Sequence, residues 1–340
     1  EFIIILNGLH DSDVVGSIAM KIIAKLAEPF ELLVNTVYIS VSLGIAVYPD
    51  DSINAEALLK NSDQAMYTAK RQGRNRFCYF TPAMQEQVVE RARLVNEMRK
   101  GLAEQQFQVV YQPVVALATG KIDKAEALVR WQHPEQGLLN PAQFIPLAES
   151  SGLIMPIGNL VFREAIALAK SLERWLPGFK VCVNKSQAQF DSKQQEWLKY
   201  LLDSNLSGSN MVIEVTEDIL FDARAEVQAQ LQELRNAGLQ VALDDFGTGY
   251  SSLTNLKKFD ISYLKIDGSF VQNLAHGNHA QALCEAMISM AHRLGLEVIA
   301  EGVETREQRN LLIQAGCDYA QGYLFSKPLT VSQLENMLKA

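Results

Sequence analysis

Short apolar runs alternate with longer amphipathic ones through most of the chain. From residue 107 the short runs span 107–115, 121–131, 180–184, 211–215, 239–245, 261–267, 297–301 and 320–325. They are brief and rich in strand formers, which predicts strands. Apolar residues recur at helical spacing over 156–173, 194–203, 223–237, 278–294 and 306–315. Strands alternating with helices predict an α/β domain of the (β/α)8, or TIM, barrel type. Only a Thr119-Gly120 turn joins the first two runs. They should form a hairpin, so one barrel strand should run antiparallel.

The N-terminal stretch follows a different order. An apolar strand is expected over 2–6, a helix over 14–26 and a long strand over 37–47 that stops at Pro49-Asp50-Asp51. A helix over 55–72 should close at Gly73, and a short strand over 77–80 follows. Thr81-Pro82 marks a boundary. Residues 82–104 mix apolar and charged positions as a connecting helix would. The expected organisation is therefore a first unit over 1–81, a connecting helix over 82–104 and a barrel domain over 105–340.

The polar residues of the barrel strands fall at their ends. Each run is apolar until Glu126, Asn184, Glu214, Asp244 with Asp245, Lys265 with Asp267, Glu301 and Gln321. Strand C-termini in a barrel gather around one mouth, where the chemistry sits. Singly, each residue has a plain alternative. Asp245 could cap a helix before the glycine loop, Asp267 could cap the turn D-G-S, Glu301 could cap G-V-E-T, and Asn184 could hold a loop. Together they are hard to explain that way, because burying so many acids without cations is costly. Carboxylates with one carboxamide, and neither His nor Cys, suit Mg2+ or Mn2+. An Asp pair suits two cations ~3.5–4 Å apart that clamp a phosphoryl group. Lys265 adds a point charge for water or phosphate. Glu126, Leu128 and Arg130 share one strand face, so Arg130 can fork onto a phosphate.

Composition narrows the setting. The 340 residues are 48% hydrophobic, and 31 basic against 39 acidic residues give a net charge of −8. That opposes non-specific binding to DNA or RNA duplexes. Cys78, Cys182, Cys284 and Cys317 form no C-x-x-C pair. They read as reduced thiols in a cytoplasmic setting rather than disulfides or zinc ligands. No run approaches the ~20 apolar residues of a membrane span. The chain begins within an expected strand, with neither Met nor signal peptide, and reads as a fragment of a longer protein.

Two resemblances follow from the motifs. S-L-G-I-A-V-Y-P-D-D (residues 42–51) and S-D-Q-A-M-Y-T-A-K-R-Q-G-R-N-R (62–76) resemble the C-terminal part of a GGDEF diguanylate cyclase domain, an α+β fold, with Glu1-Phe2 as the end of its signature. The resemblance implies that Lys70 and Arg74 would touch GTP in an intact GGDEF domain. The plainer reading makes them solvated charges at a helix end. E-A-L-V-R-W (126–131) resembles the signature of the EAL phosphodiesterases, which cleave cyclic di-GMP to linear pGpG. Y-Q-P-V-V, V-N-K-S, I-E-V-T-E, L-D-D-F-G-T-G-Y-S-S-L, L-K-I-D, A-E-G-V-E-T and Q-G-Y-L-F-S-K-P-L extend it from about residue 111 to 329.

The EAL resemblance implies a modified TIM barrel with one antiparallel strand and two divalent cations. Glu126, Asn184, Glu214 and Asp244 would hold the first cation. Asp244 would bridge to the second, which Asp245 holds and Glu301 supports. Lys265 would position the attacking water, with Asp267 and Gln321 completing its surroundings. Gln112 and Glu304 would meet guanine edges. Glu217 would brace the loop over 246–252, or else be a helix-start carboxylate in T-E-D. Lys185 stands where the family usually has an apolar residue, and alternation points it away from Asn184's face. The family also implies a homodimer through the barrel, with the loop after Asp245 near the interface. Two other functions remain: a catalytically silent cyclic di-GMP receptor, and a scaffold that uses no nucleotide.

Overall fold

The structure is a computed structural model that describes residues 2–8, 12–32, 35–191, 196–221, 224–247, 260–274 and 278–339. It forms two compact units, Glu1–Asn96 and Glu97–Ala340.

In the first unit, β1 (Phe30–Leu32) pairs antiparallel with β2 (Asn35–Val37), and β3 (Leu43–Ile45) pairs parallel with β4 (Phe77–Tyr79). The helix Ala55–Arg71 lies directly on β3. A Cβ at Gly44 would meet Ser62 O at 1.8 Å and Met66 N at 2.2 Å, so only glycine allows this contact. Asn54 caps that helix by accepting from Ala57 N. Two expectations fail here. Residues 2–6 form no strand, and Phe2, Ile3, Ile4, Ile5 and Leu6 are all exposed. The expected long strand over 37–47 is only the short β2 and β3. Apolar content proposes a strand, but a hydrogen-bonded neighbour makes one, and among the described residues 2–6 have none.

The second unit is the expected barrel. Its strands are β5 (Phe107–Ala116), β6 (Ile122–His133), β8 (Lys180–Asn184), β9 (Met211–Thr216), β10 (Gln240–Phe246), β11 (Tyr263–Ile266), β12 (Glu297–Ala300) and β13 (Tyr319–Ala320). The order β5-β13-β12-β11-β10-β9-β8-β6 closes through β5–β6. β5 is antiparallel to both neighbours, and the other barrel pairings are parallel. A short strand, β7 (Gly137–Leu139), extends β6 as a hairpin.

Outward side chains of these strands, such as Ile213, Val241, Leu264 and Val298, pack under the helices in one large apolar cluster. Inward side chains stack in layers. Val114, Cys182, Val212, Ala242, Tyr263 and Ile299 fill one apolar layer. Two residues further along β8 to β12, alternation places Asn184, Glu214, Asp244, Lys265 and Glu301 above it, and Glu126 on β6 joins them opposite Gln112 of the antiparallel β5. The apolar layer is thus a floor that closes the barrel beneath a polar mouth.

The last strand is shorter than its apolar run suggests. β13 ends at Ala320, and the chain turns at Gly322, where Phe325 N donates to Gly322 O at 3.1 Å. A Cβ at Gly322 would meet Val303 O at 2.1 Å. Backbone therefore packs on backbone where 320–325 would otherwise continue as strand. Helices Pro141–Ser151 and Val331–Lys339 lie outside the periodic runs read from the sequence. Among the described residues no helix is long and apolar enough to cross a membrane.

Candidate active site at the barrel mouth

Lys265 stands at the centre of the mouth and is almost fully buried. Its Nζ lies 2.7 Å from Glu301 Oε1, 2.8 Å from Glu214 Oε2, 3.1 Å from Asp244 Oδ1 and 3.7 Å from Glu126 Oε2. One ammonium cannot neutralise four carboxylates. The imbalance appears in their proton affinities. Burial pushes Glu214 well above the usual carboxylate range, against the pull of Lys265. Burial also pushes Glu301 up to about 8. Burial raises Glu126 too, but Lys265 and its amide donors outweigh that and leave it below the usual value. The acids in turn hold the Lys265 ammonium well above the ordinary lysine range despite burial.

Two amides orient Glu126. Asn184 Nδ2 donates to Oε1 at 2.7 Å, and Gln321 Nε2 donates to Oε2 at 2.8 Å. Gln321 Nε2 also reaches Gln112 Oε1 at 3.1 Å, and Gln112 Nε2 reaches Ser326 O at 3.1 Å.

The Asp pair sits on a backbone irregularity. Pairing of β10 with β11 shifts register between Leu243 and Phe246. Asp245 has φ +54°, and its N–H donates to Asp244 Oδ1 at 3.0 Å. A non-glycine residue in this left-handed region costs about 1–3 kcal/mol and marks functional sites. The bend breaks strand alternation, so adjacent aspartates converge rather than point to opposite faces. One oxygen from each of Asp244, Asp245 and Glu301 lies within 4.8 Å of the others. Burial, then Asp244 and Asp267, raise the Asp245 carboxyl. All-oxygen donors with uncompensated negative charge fit hard divalent cations.

The remaining expected residues are placed as follows. Leu128 and Arg130 lie on the Glu126 face of β6 and are half-buried. Arg130 Nη1 donates to Val129 O at 2.8 Å. Asp267 caps the helix Gly268–Gln272, accepting from Ser269 N at 3.0 Å. Glu304 is exposed on a backbone held by Gln308 Oε1, which accepts from its N–H at 2.8 Å. Glu217 starts the helix Glu217–Phe221 and is buried, and neither carboxylate oxygen has a hydrogen-bond partner among the described residues. Residues 248–252 of the loop it would brace lie outside the described residues. Lys185 turns away from the mouth, with Nζ 4.5 Å from the Trp197 ring centroid and 4.7 Å from that of Phe190. Burial lowers it to about 8. In the first unit, Lys70 and Arg74 are exposed at the end of Ala55–Arg71.

One buried cation was not singled out from the sequence. Lys124 is fully buried in the barrel floor, with Nζ 3.2 Å from the Tyr319 ring centroid and 2.9 Å from Asp123 Oδ1. Its signal was the two-residue period, since Lys124 precedes Glu126 on the same face.

Comparison with known proteins agrees with this architecture. A model of the EAL domain family matches residues 95–328, and one described as "Diguanylate cyclase, GGDEF domain" matches residues 1–76. The chain belongs to the EAL domain family and carries part of a GGDEF region before it. It is 37% identical over 345 residues to the bifunctional diguanylate cyclase/cyclic di-GMP phosphodiesterase MucR of Pseudomonas aeruginosa, covering 98% of this chain and 49% of MucR. It is 37% identical over 342 residues to the cyclic di-GMP phosphodiesterase PdeR of Escherichia coli, covering 100% of this chain and 51% of PdeR. The chain thus spans about half the length of these curated relatives. The solved PaMucR phosphodiesterase, in complex with c-di-GMP, superposes with a TM-score of 0.68 at 37% identity. That match covers 71% of this chain and 99% of the other.

Proposed function

We propose that the chain hydrolyses one phosphodiester of cyclic di-GMP to linear pGpG, using two divalent cations, Mg2+ or Mn2+. The observation that carries this is the charge imbalance at the mouth. Glu126, Glu214, Asp244 and Glu301 converge on the ammonium of Lys265, and Asp245 gathers with Asp244 and Glu301 beside them. A mouth left so acidic would repel a phosphodiester, so a phosphodiester substrate needs added positive charge. Relatives named as cyclic di-GMP phosphodiesterases, and a solved relative holding c-di-GMP, support the choice of substrate.

In this reading Glu126, Asn184, Glu214 and Asp244 hold one cation, and Asp244, Asp245 and Glu301 hold the other. Bound there, the cations supply Lewis-acid charge to the phosphoryl oxygens and the nucleophile. The chain's own groups do the rest. Asn184 gives Nδ2 to Glu126, which leaves its Oδ1 available as a ligand. Lys265 Nζ orients the attacking water and steadies charge developing on the phosphoryl group. Arg130 anchors a phosphate oxygen, and Leu128 packs beside it. Water's oxygen bonds to phosphorus as the water gives up a proton, the bond to the 3′-oxygen breaks, and that oxygen leaves as a hydroxyl carrying one proton, so the water is added across the P–O bond. Asp267 and Gln321 border the water, and Glu304 faces a guanine edge. Glu217 orders the loop after Asp245. The organisation that fits is a partial GGDEF domain over 1–81, a connecting helix over 82–104 and the EAL domain over 105–340.

The test is product formation. Purified protein with Mg2+ or Mn2+ should convert cyclic di-GMP to pGpG, and chelator should stop it. Nucleotide binding without product would instead support the silent receptor. Failure of saturating nucleotide to raise the melting temperature would support the scaffold.

A further inference from the structure

Gln112 was expected at a guanine edge, but both ends of its amide already hold partners within the chain. Its Oε1 accepts from Gln321 Nε2, and its Nε2 donates to Ser326 O. The chemistry at the two ends of this chain of bonds fixes its direction. Gln321 Nε2 lies 2.8 Å from Glu126 Oε2, and a carboxylate that serves as a metal ligand offers only acceptors, so Gln321 must present its NH2 there. The second hydrogen of that NH2 meets Gln112, which must then present its oxygen. Ser326 offers only a carbonyl, so the Gln112 NH2 is required at that end too. Swapping O and N in either glutamine would set acceptor against acceptor. The arrangement even leaves Gln321 Oε1 buried without a hydrogen-bond partner among the described residues. Both glutamines are buried, so water competes poorly for these bonds.

Backbone anchors hold both ends. Ser326 belongs to a turn in which Phe325 N and Ser326 N donate to Gly322 O at 3.1 and 3.2 Å. That turn is fixed to residue 303 by Val303 N to Gln321 O at 3.0 Å and Leu324 N to Val303 O at 3.0 Å. Next to Gln112, Tyr111 and Leu329 exchange both backbone bonds, at 2.7 and 2.8 Å. Gln112 therefore bridges two fixed pieces of backbone, and its oxygen aims Gln321 at Glu126.

We propose that Gln112 is a positioning residue that acts through Gln321 on Glu126, holding that carboxylate in its metal-binding orientation. This rests on the proposed role of Glu126 as a metal ligand. Partners of metal-ligating groups typically cost 10–100-fold in metal affinity when removed. A base-reading residue would instead act on substrate affinity.

The experiment is Mn2+ titration calorimetry on nucleotide-free protein, paired with steady-state hydrolysis. Gln112→Met keeps the side-chain length and removes both hydrogen-bonding ends. It should weaken Mn2+ binding about tenfold, lower kcat, and leave KM for cyclic di-GMP within about twofold of the parent. Gln112→Glu keeps an acceptor for Gln321 and should recover part of the Mn2+ affinity. Circular dichroism confirms that each variant is folded, and if Gln112→Met does not fold, Gln112→Glu against Gln112→Ala gives the same comparison. Unchanged Mn2+ affinity with a raised KM would overturn the proposal and restore base reading. Unchanged Mn2+ affinity, kcat and KM would overturn it as well. The titration needs no turnover, so it is decided separately from hydrolysis. A parent protein that binds no Mn2+ would overturn both the metal site and this role.

Discussion

Lys265 is the residue on which the mouth balances. In nucleotide-free protein it does what cations would do, drawing Glu301, Glu214, Asp244 and Glu126 to one point. Lys265→Met should therefore destabilise the metal-free protein by about 3–5 kcal/mol, the usual cost of stripping one partner from a buried ion pair. Added Mn2+ should restore more of the melting temperature in this variant than in the parent, while hydrolysis stays lost. A metal-free melting temperature equal to the parent's would show that the acids are neutralised some other way. Glu301 makes the same balance pH-dependent. Its pKa of about 8 lies above that of an unfolded glutamate. Between those values the folded chain holds a proton that the unfolded chain has lost, so stability falls as pH rises through this window. Metal-free melting temperatures should decline from about pH 5 to pH 8, and saturating Mn2+ should flatten the decline. A flat metal-free profile would place Glu301 in its ionised form throughout.

At the scale of elements, the strands and their polar ends were legible because a barrel repeats one rule at most strands: period two, apolar until the mouth, with Lys124 on β6 departing from it. What escaped were features created by neighbours. The register shift at Asp244-Asp245 emerges in the pairing with β11, and although Asp tolerates the left-handed region, the sequence does not mark which of two adjacent aspartates takes φ +54°. β13 ends early because Gly322 packs on the backbone of Val303. Residues 2–6 look like a strand but have no partner among the described residues. Gln112 was identified as a site residue, yet its bonds to Gln321 and Ser326 span 209 and 214 positions of sequence, beyond any local pattern. The bend at Asp245 carries its own prediction. Asn tolerates the left-handed region, so Asp245→Asn should keep the fold and melting temperature. It should weaken one of two Mn2+ equivalents by calorimetry and spare the other. Equal weakening of both would merge the two sites into one.

At the scale of the molecule, two units of different character share the chain. The barrel unit has a closed sheet and a continuous apolar cluster beneath its helices. Among the described residues the first unit has only two two-stranded sheets, and it exposes Phe2, Ile3, Ile5, Leu32, Tyr38 and Ile53. Calorimetric unfolding should therefore show two transitions. Only the barrel transition should move upward with Mn2+, because among the described residues the acids gather at the barrel mouth. A single transition that shifts as a whole would mean that the units unfold together.

The central claim is that the acids at the barrel mouth perform metal-dependent cleavage of cyclic di-GMP. Chromatographic measurement of pGpG formed with Mn2+ by the parent and by Glu126→Ala tests it most directly. The account predicts steady pGpG from the parent and none above background from the variant. Equal product from both proteins, or none from the parent despite bound nucleotide, would contradict it.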